Sequence, residues 1–185
     1  MVYILLGTGF ETTEALTAAD VLRRASLPVS LTGIGGDIVT SSHSVAVRAD
    51  LPVEAVALEA GDMVVLPGGL GGVAAIEGSD AAMALVRRAA GDPGIWLAAI
   101  CAAPALLART GLLPAGTRCV CYPGMEGELS RAGAVPMTNR SVVTDGRLVT
   151  GRGPGSAFDF ALALVEVLAG TAAADQVCAA LHYRV

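Results

Sequence analysis

Ile95-Trp-Leu-Ala-Ala-Ile-Cys101-Ala-Ala-Pro104-Ala-Leu-Leu-Ala108 decides the fold, because its character changes in the middle. The first half is an apolar run opening on a β-branched residue, as a parallel strand buried on both faces requires. The second half is Ala and Leu, the composition of a helix. Pro104 marks the change: in the first helical turn a proline forfeits no intrahelical hydrogen bond, because the N–H groups there have no intrahelical partner. Cys101 therefore stands at a strand-to-helix junction. Ala99 and Ala103, two residues to either side, let the chain turn sharply, and small-x-nucleophile-x-small is the pattern of a nucleophile elbow, written here with sulfur. The helix N-terminus behind Cys101 is expected to lower the thiol pKa from about 8.5 by one or more units. The competing assignment for an unpaired cysteine is a small buried hydrophobe.

Outward from this stretch, strand and helix signals alternate. Val2-Tyr-Ile-Leu-Leu6 reads as a buried strand with Gly7-Thr-Gly9 as its turn. Thr12 or Thr13 is expected to cap a helix through Glu14, Leu16, Ala19 and Leu22 to Ala25. The next strand, 28–34, completes a strand-helix-strand unit that favours parallel pairing. Residues 37–48 read as a hairpin with Ser41-Ser42-His43 in its turn. Another buried strand, 62–66, leads into Pro67-Gly68-Gly69-Leu70-Gly71-Gly72. Four glycines in six residues mean close backbone approach, and a nest of exposed N–H groups fits better than a phosphate cradle, whose motifs are missing. Helices are expected over 73–77, 79–90 and 125–132, and a strand over 117–122. Asp145-Gly146 is the strongest hairpin turn signal, between 141–144 and 147–150. Ser156 is expected to cap a helix over 158–168, with a last helix over 172–181. The expected fold is an α/β sandwich, doubly wound, with a mostly parallel central sheet, helices on both faces and a small antiparallel hairpin. In such a sheet the ends of the first strand, the glycine-rich loop and the elbow meet at the carboxyl edge.

Composition narrows the function. The 185 residues suffice for one domain, 1–185, with a large core. They are 54% hydrophobic and 16% charged, with a formal net charge of −5. No basic cluster exceeds the pairs Arg23-Arg24 and Arg87-Arg88, which argues against a nucleic-acid partner. Mean hydropathy is high, at +0.63, but the best apolar run is short and interrupted by Pro104, which argues against a membrane span. The chain opens on its first strand without a basic leader, and its four cysteines lack framework spacing. A cytoplasmic protein with free thiols is expected.

A nucleophilic thiol needs a neighbour that handles protons. Glu11, Glu14, His43, Tyr122, Arg152 and Asp159 are the candidates. A carboxylate at the place of Glu14, in a first helical turn, ordinarily serves the helix dipole. It becomes a site candidate because the first strand can lie centrally in the sheet. His43 in its turn and His182 near the terminus read as exposed. Cys119 and Cys121 share a strand face and read as packing rather than metal ligands, since no matching Cys/His pair exists. Cys178 reads as core, and no metal or cofactor is expected.

Glu14-x5-Asp20-Val-Leu-Arg-Arg-Ala25, Val64-Val-Leu-Pro-Gly-Gly69, Ala98-Ala-Ile-Cys101-Ala-Ala-Pro104 and Gly151-Arg-Gly-Pro-Gly155, followed by Phe158-x-Phe160-Ala-Leu-Ala-Leu, resemble the ThiJ/PfpI family from end to end. They are most similar to its Parkinson-disease protein 7 (parkinsonism-associated deglycase) branch. The resemblance implies a flavodoxin-like sandwich and a homodimer. It implies that Cys101 is the reactive nucleophile, that Glu14 is a protonated carboxyl hydrogen-bonded to its sulfur, and that the Gly69 and Ala102 N–H groups form an oxyanion or sulfinate pocket. It also implies that Arg24 reaches the partner's site. The protease-like relatives carry histidine immediately after the nucleophile; Ala102 stands there in this chain, which disfavours peptidase activity. Tyr122 falls where the deglycase branch often has histidine, and with a pKa of about 10 a tyrosine is a poor base at neutral pH. His43 falls where some relatives carry an anion-binding arginine.

Three functions fit these residues. One is a cysteine enzyme acting on small reactive carbonyls, of the glutathione-independent glyoxalase or deglycase type, turning methylglyoxal into lactate through a Cys101 hemithioacetal. Another is a non-enzymatic oxidative-stress sensor or chaperone in which Cys101 oxidises to a sulfinate. The last is a hydratase or amidase acting on another small electrophile.

Overall fold

A computed structural model describes residues 1–183; the two residues that complete the expected domain lie outside the described residues. In chain order, β1 (Val2–Leu6) is followed by α1 (Thr12–Arg24), β2 (Val29–Gly33), β3 (Ile38–Thr40), β4 (Ala46–Arg48), β5 (Leu51–Pro52) and β6 (Met63–Leu66). Next come α2 (Leu70–Glu77), α3 (Asp80–Gly91), β7 (Trp96–Ile100), α4 (Ala103–Arg109), β8 (Arg118–Cys119) and α5 (Glu126–Arg131). The chain closes with β9 (Val135–Pro136), β10 (Val142–Asp145), β11 (Leu148–Gly151), α6 (Ala157–Ala169) and α7 (Thr171–Ala180).

Seven strands form one sheet in the order β10-β11-β7-β6-β1-β2-β5. All its pairings are parallel except β10 with β11. The run β2-β1-β6-β7-β11 is the flavodoxin-like order, in which strand order reverses between the first and third strands. That reversal lies between β1 and β6, and it opens a crevice at their carboxyl ends.

Strand alternation builds two cores. Leu5, Val64, Leu66, Leu97 and Ala99 face one way, under Val73 and Ile76 of α2, Val86 of α3, Leu106 of α4 and Leu129 of α5. Ile4, Leu6, Met63, Val65, Ala98 and Ile100 face the other, under Ala18 and Leu22 of α1, Phe160 and Leu164 of α6 and Val177 of α7. Burial on both faces explains why these strands are uniformly apolar instead of alternating with polar residues.

The local differences from expectation have physical causes. The cap of α1 is Glu11, whose side chain accepts from the Thr13 N–H, rather than Thr12 or Thr13. The helix α2 starts at Leu70, three residues before the expected 73, so Gly71 and Gly72 are helical. They are glycines because α2 packs backbone to backbone on the β1–α1 turn: a Cβ on Gly72 would meet the Phe10 Cα at 2.6 Å. The strand expected over 117–122 is only Arg118–Cys119, paired with β9, and Cys121 lies past its end. Beyond Cys119 the backbone turns away from β9: the Val120 N–H donates to Thr150 Oγ1 (3.0 Å) and the Tyr122 N–H to the Cys101 carbonyl (2.8 Å). The β10–β11 turn is shifted by one residue. Asp145 pairs with Leu148, which leaves Gly146-Arg147 as the loop, with Gly146 at φ +59°. Ser156 precedes α6 without capping it through its side chain; its Oγ accepts from the Gly153 N–H and donates to the Gly153 carbonyl.

Candidate active site

The crevice gathers residues from three connections. Cys101 follows β7 with φ +66°, in the left-handed region that costs a non-glycine residue of order 1–3 kcal/mol. Its backbone is clamped from both sides. The Cys101 N–H donates to the Gly151 carbonyl at 3.0 Å, and the Cys101 carbonyl accepts from the Tyr122 N–H at 2.8 Å. The small flanks expected of an elbow are in place: Ala99 and Ala103 are fully buried, and Ala102 is the N-cap residue of α4. Cys101 as a residue is only 8% exposed.

Glu14 projects from the first turn of α1, which follows β1, and is 1% exposed. Its Oε2 accepts from the Gly68 N–H at 2.6 Å. Its Oε1 is buried with no hydrogen-bond partner among the described residues, and the carboxyl faces the Cys101 thiol across Gly68. Gly68 has no room for a side chain, since a Cβ would meet Cys101 Cβ at 2.5 Å and Glu14 Oε2 at 2.6 Å. Gly69 sits at φ +84°, which turns its N–H toward the sulfur. The Ala102 N–H makes the second such contact.

These neighbours decide the protonation states. Burial, and secondarily the Glu11 charge, push the Glu14 carboxyl up to about 7, while the hydrogen bonds from Gly68 and Cys101 pull the other way. Burial, then the Glu14 carboxylate, push the Cys101 thiol up to about 12 against the opposing amides of Gly69 and Ala102. The expected lowering of the thiol pKa by the helix N-terminus is therefore overturned: desolvation and a facing carboxylate outweigh two amides on a helix of two turns. The two acids titrate as a pair. Between about 7 and about 12 the pair holds one proton, shared by a sulfur that two N–H groups can stabilise as thiolate and a carboxyl with a free oxygen.

Gly69, Ala102, Glu14 and Cys101 are thus brought together. Tyr122 stands at the rim, half-exposed, with its ring against Gly153. His43 is exposed on the β3–β4 turn; its Nδ1 is 3.0 Å from Ser42 Oγ, which donates to Glu11 Oε2 at 3.3 Å. It approaches the site only through Glu11. Arg24 is not brought to Cys101 within this chain: it pairs with Asp20 at 2.8 Å at the far end of α1, about 15 Å along the axis from Glu14. Asp159 is engaged by the Tyr183 hydroxyl at 2.7 Å on α6. Cys119 and Cys121 are buried thiols pushed up, mainly by desolvation, to about 11 and about 12, and neither faces a buried carboxyl as Cys101 faces Glu14. Among the described residues no group of three or more His, Cys, Asp or Glu side chains could hold a metal ion, and no helix is long and apolar enough to cross a membrane.

A cleft of about 310 Å³ adjoins the elbow, lined by Tyr122, Pro123, Ser141, Arg152 and the turn 153–156. The sequence offers Arg152 as one of the candidate proton-handling neighbours; the clamp of Gly151 on Cys101 and of Cys101 on Tyr122 shows why it borders the site.

The protein-family model described as the DJ-1/PfpI family matches residues 1–167. Protein dj-1beta of Drosophila melanogaster is 40% identical over 179 residues, covering 96% of this chain and 94% of that protein. Its crystal structure superimposes with a TM-score of 0.89 over 100% of this chain and 98% of that one, at 36% identity. The Parkinson disease protein 7 homolog of Danio rerio is 34% identical, over 96% of this chain and 94% of that protein. The glutathione-independent glyoxalase DJR-1.2 of Caenorhabditis elegans is 28% identical over 160 residues, covering 86% of this chain and 83% of that protein.

Proposed function

The chain belongs to the DJ-1/PfpI family, and from that premise we propose that it is a cysteine-dependent enzyme that converts small dicarbonyls such as methylglyoxal into hydroxy acids such as lactate. The observation that carries this reading is the buried, unpartnered Oε1 of a Glu14 carboxyl that faces the Cys101 thiol across Gly68, while Oε2 is anchored on the Gly68 N–H. A carboxyl held by one oxygen and free at the other can take up and return protons next to a nucleophile. The glyoxalase named among the relatives supports the same chemistry.

In this mechanism Glu14 accepts the thiol proton as sulfur attacks the aldehyde carbon. The C–S bond forms, and the carbonyl electron pair moves onto oxygen, where the Gly69 and Ala102 N–H groups hold it. Glu14 returns the proton to that oxygen, giving the hemithioacetal. It then removes the hydrogen from the former aldehyde carbon and delivers it to the neighbouring ketone carbon, while the hydroxyl proton passes to the ketone oxygen. The product is a lactoyl thioester. Water cleaves its C–S bond, releasing lactate and restoring the thiol. The aldehyde carbon is oxidised, the ketone carbon is reduced, and no external redox partner is used. Tyr122, at the rim, is suited to donating a hydrogen bond to the substrate rather than to acting as base. The reading includes a homodimer in which Arg24 approaches the partner's site.

The oxidative reading draws on the same two amides, which could hold a sulfinate oxygen. The deciding experiment follows methylglyoxal loss and lactate formation in the wild type, Cys101→Ser and Glu14→Gln, with amine buffers and added thiols left out. Turnover lost in both variants is expected. A folded wild type that forms no lactate would overturn the enzyme reading in favour of selective peroxide oxidation at Cys101.

A further inference from the structure

Arg152 has no part in the mechanism above, yet it borders the elbow. Arg23, Arg24, Arg109 and Arg118 are each ion-paired to a carboxylate. The Arg152 side chain has no ion pair or hydrogen bond among the described residues, in a chain whose net charge is −5. Its backbone is held, since its N–H donates to the Ser141 carbonyl at 2.9 Å. The residue before it, Gly151, pairs with Ile100 and accepts the Cys101 N–H. Arg152 therefore starts about one strand spacing, roughly 5 Å, from the elbow. Its side chain lines the 310 Å³ cleft with Tyr122, Ser141 and the 153–156 turn. That volume is at the lower end of small-molecule pockets, about 300–1,000 Å³. Arg152 also lines a smaller cavity with Glu126, whose Oε2 is taken by the Gly124 N–H at 2.8 Å.

We propose that this cleft is an anion subsite, in which Arg152 binds the carboxylate of a dicarbonyl substrate whose aldehyde carbon is presented to Cys101. The substrate class is then a 2-oxoaldehyde with a short carboxylate-bearing tail, not a neutral three-carbon dicarbonyl. The inference rests on the reaction proposed above and names the substrates that reaction prefers. A guanidinium suits the role because its fork of N–H donors matches a carboxylate in two parallel hydrogen bonds. With 4,5-dioxopentanoate the chemistry is unchanged: sulfur adds to the aldehyde carbon, hydrogen moves to the ketone carbon, and water releases 2-hydroxyglutarate. The tail carboxylate takes no part in bond making.

Two readouts test the subsite, and only the first needs turnover. In the wild type, kcat/KM for 4,5-dioxopentanoate is expected to exceed that for methylglyoxal by about tenfold or more, the worth of one hydrogen-bonded charge pair. Arg152→Gln should erase that advantage through KM, Arg152→Lys should keep part of it, and methylglyoxal turnover should stay within twofold in both. In the second readout, glutarate, which carries no reactive carbonyl, should slow iodoacetamide alkylation of Cys101 in the wild type and lose that effect in Arg152→Gln. Equal kcat/KM for the two substrates, or glutarate protection that survives Arg152→Gln, would overturn the subsite. If neither dicarbonyl is turned over, the enzyme reading fails, and the alkylation readout decides the subsite by itself.

Discussion

Glu14→Gln should make the protein more stable at alkaline pH while removing its activity. The wild-type carboxyl is buried and titrates near 7 instead of 4.5, so its ionised form is disfavoured in the folded chain. At 1.36 kcal/mol per pK unit the full penalty is about 3 kcal/mol. The sign follows from proton counting. Between 4.5 and about 7 the folded state binds more protons than the unfolded state, so stability falls as pH rises through that window and the penalty is complete above it. Glutamine keeps the shape and an oxygen for the Gly68 N–H but does not ionise. The assay is urea unfolding of wild type and Glu14→Gln at pH 5 and pH 8. Effects of the substitution that do not depend on pH cancel when the two differences are compared. The variant is expected to gain about 2–3 kcal/mol on the wild type between the two pH values. At about 2–4 °C per kcal/mol, the same gain would appear in Tm. A difference between the proteins that does not change with pH, or one that favours the wild type at pH 8, would refute the burial argument for Glu14.

Turnover should rise with pH through about 7, as the Cys101–Glu14 pair loses its first proton, and stay level toward about 12, which a kcat/KM profile would read. Gly68→Ala should cost at least about a hundredfold in kcat/KM, because its Cβ would fall 2.5 Å from Cys101 Cβ and 2.6 Å from Glu14 Oε2; a misplacement of about 1 Å at a reacting centre is worth that much. Substrate assays beside circular dichroism would separate this loss from unfolding. Arg109→Ala removes a two-point contact with Glu77, at 3.0 and 2.6 Å, between side chains about 35% and 41% exposed. The expected loss is no more than about 1 kcal/mol in urea unfolding, with activity unchanged.

The fold was legible because the strands that are buried on both faces cannot disguise their composition. Val2–Leu6, Met63–Leu66 and Trp96–Ile100 are short, apolar and followed by turn residues. The elbow was legible for a related reason: Ala99, Ala103 and Pro104 constrain the backbone around Cys101 so narrowly that few other conformations fit. The early start of α2 was hidden because glycine weighs against a helix locally, while the packing of Gly71 and Gly72 against the 8–10 backbone decides the matter over a long sequence separation. The length of β8 was hidden for the same reason, since Val120 and Tyr122 bond to Thr150 and Cys101. At the site, the position of Glu14 could be anticipated from a helix following a central strand. The direction of the Cys101 shift could not, because the helix-end argument counts only what favours a thiolate. Burial and the facing carboxylate are properties of the assembled crevice. Arg152 was visible as a residue type but not as a cleft-lining cation, since its place depends on which strand β11 joins.

The central claim is that Cys101 adds to the carbonyl and Glu14 carries the protons that follow. Its most direct test is a 13C NMR spectrum of methylglyoxal labelled at the aldehyde carbon, mixed with Glu14→Gln in slight molar excess. In Glu14→Gln solvent must take the thiol proton, so addition is slower but still reaches equilibrium; without onward proton transfer a hemithioacetal resonance is expected that Cys101→Ser does not give, with no labelled lactate. Labelled lactate forming at the wild-type rate in Glu14→Gln, or the same resonance in Cys101→Ser, would contradict the account.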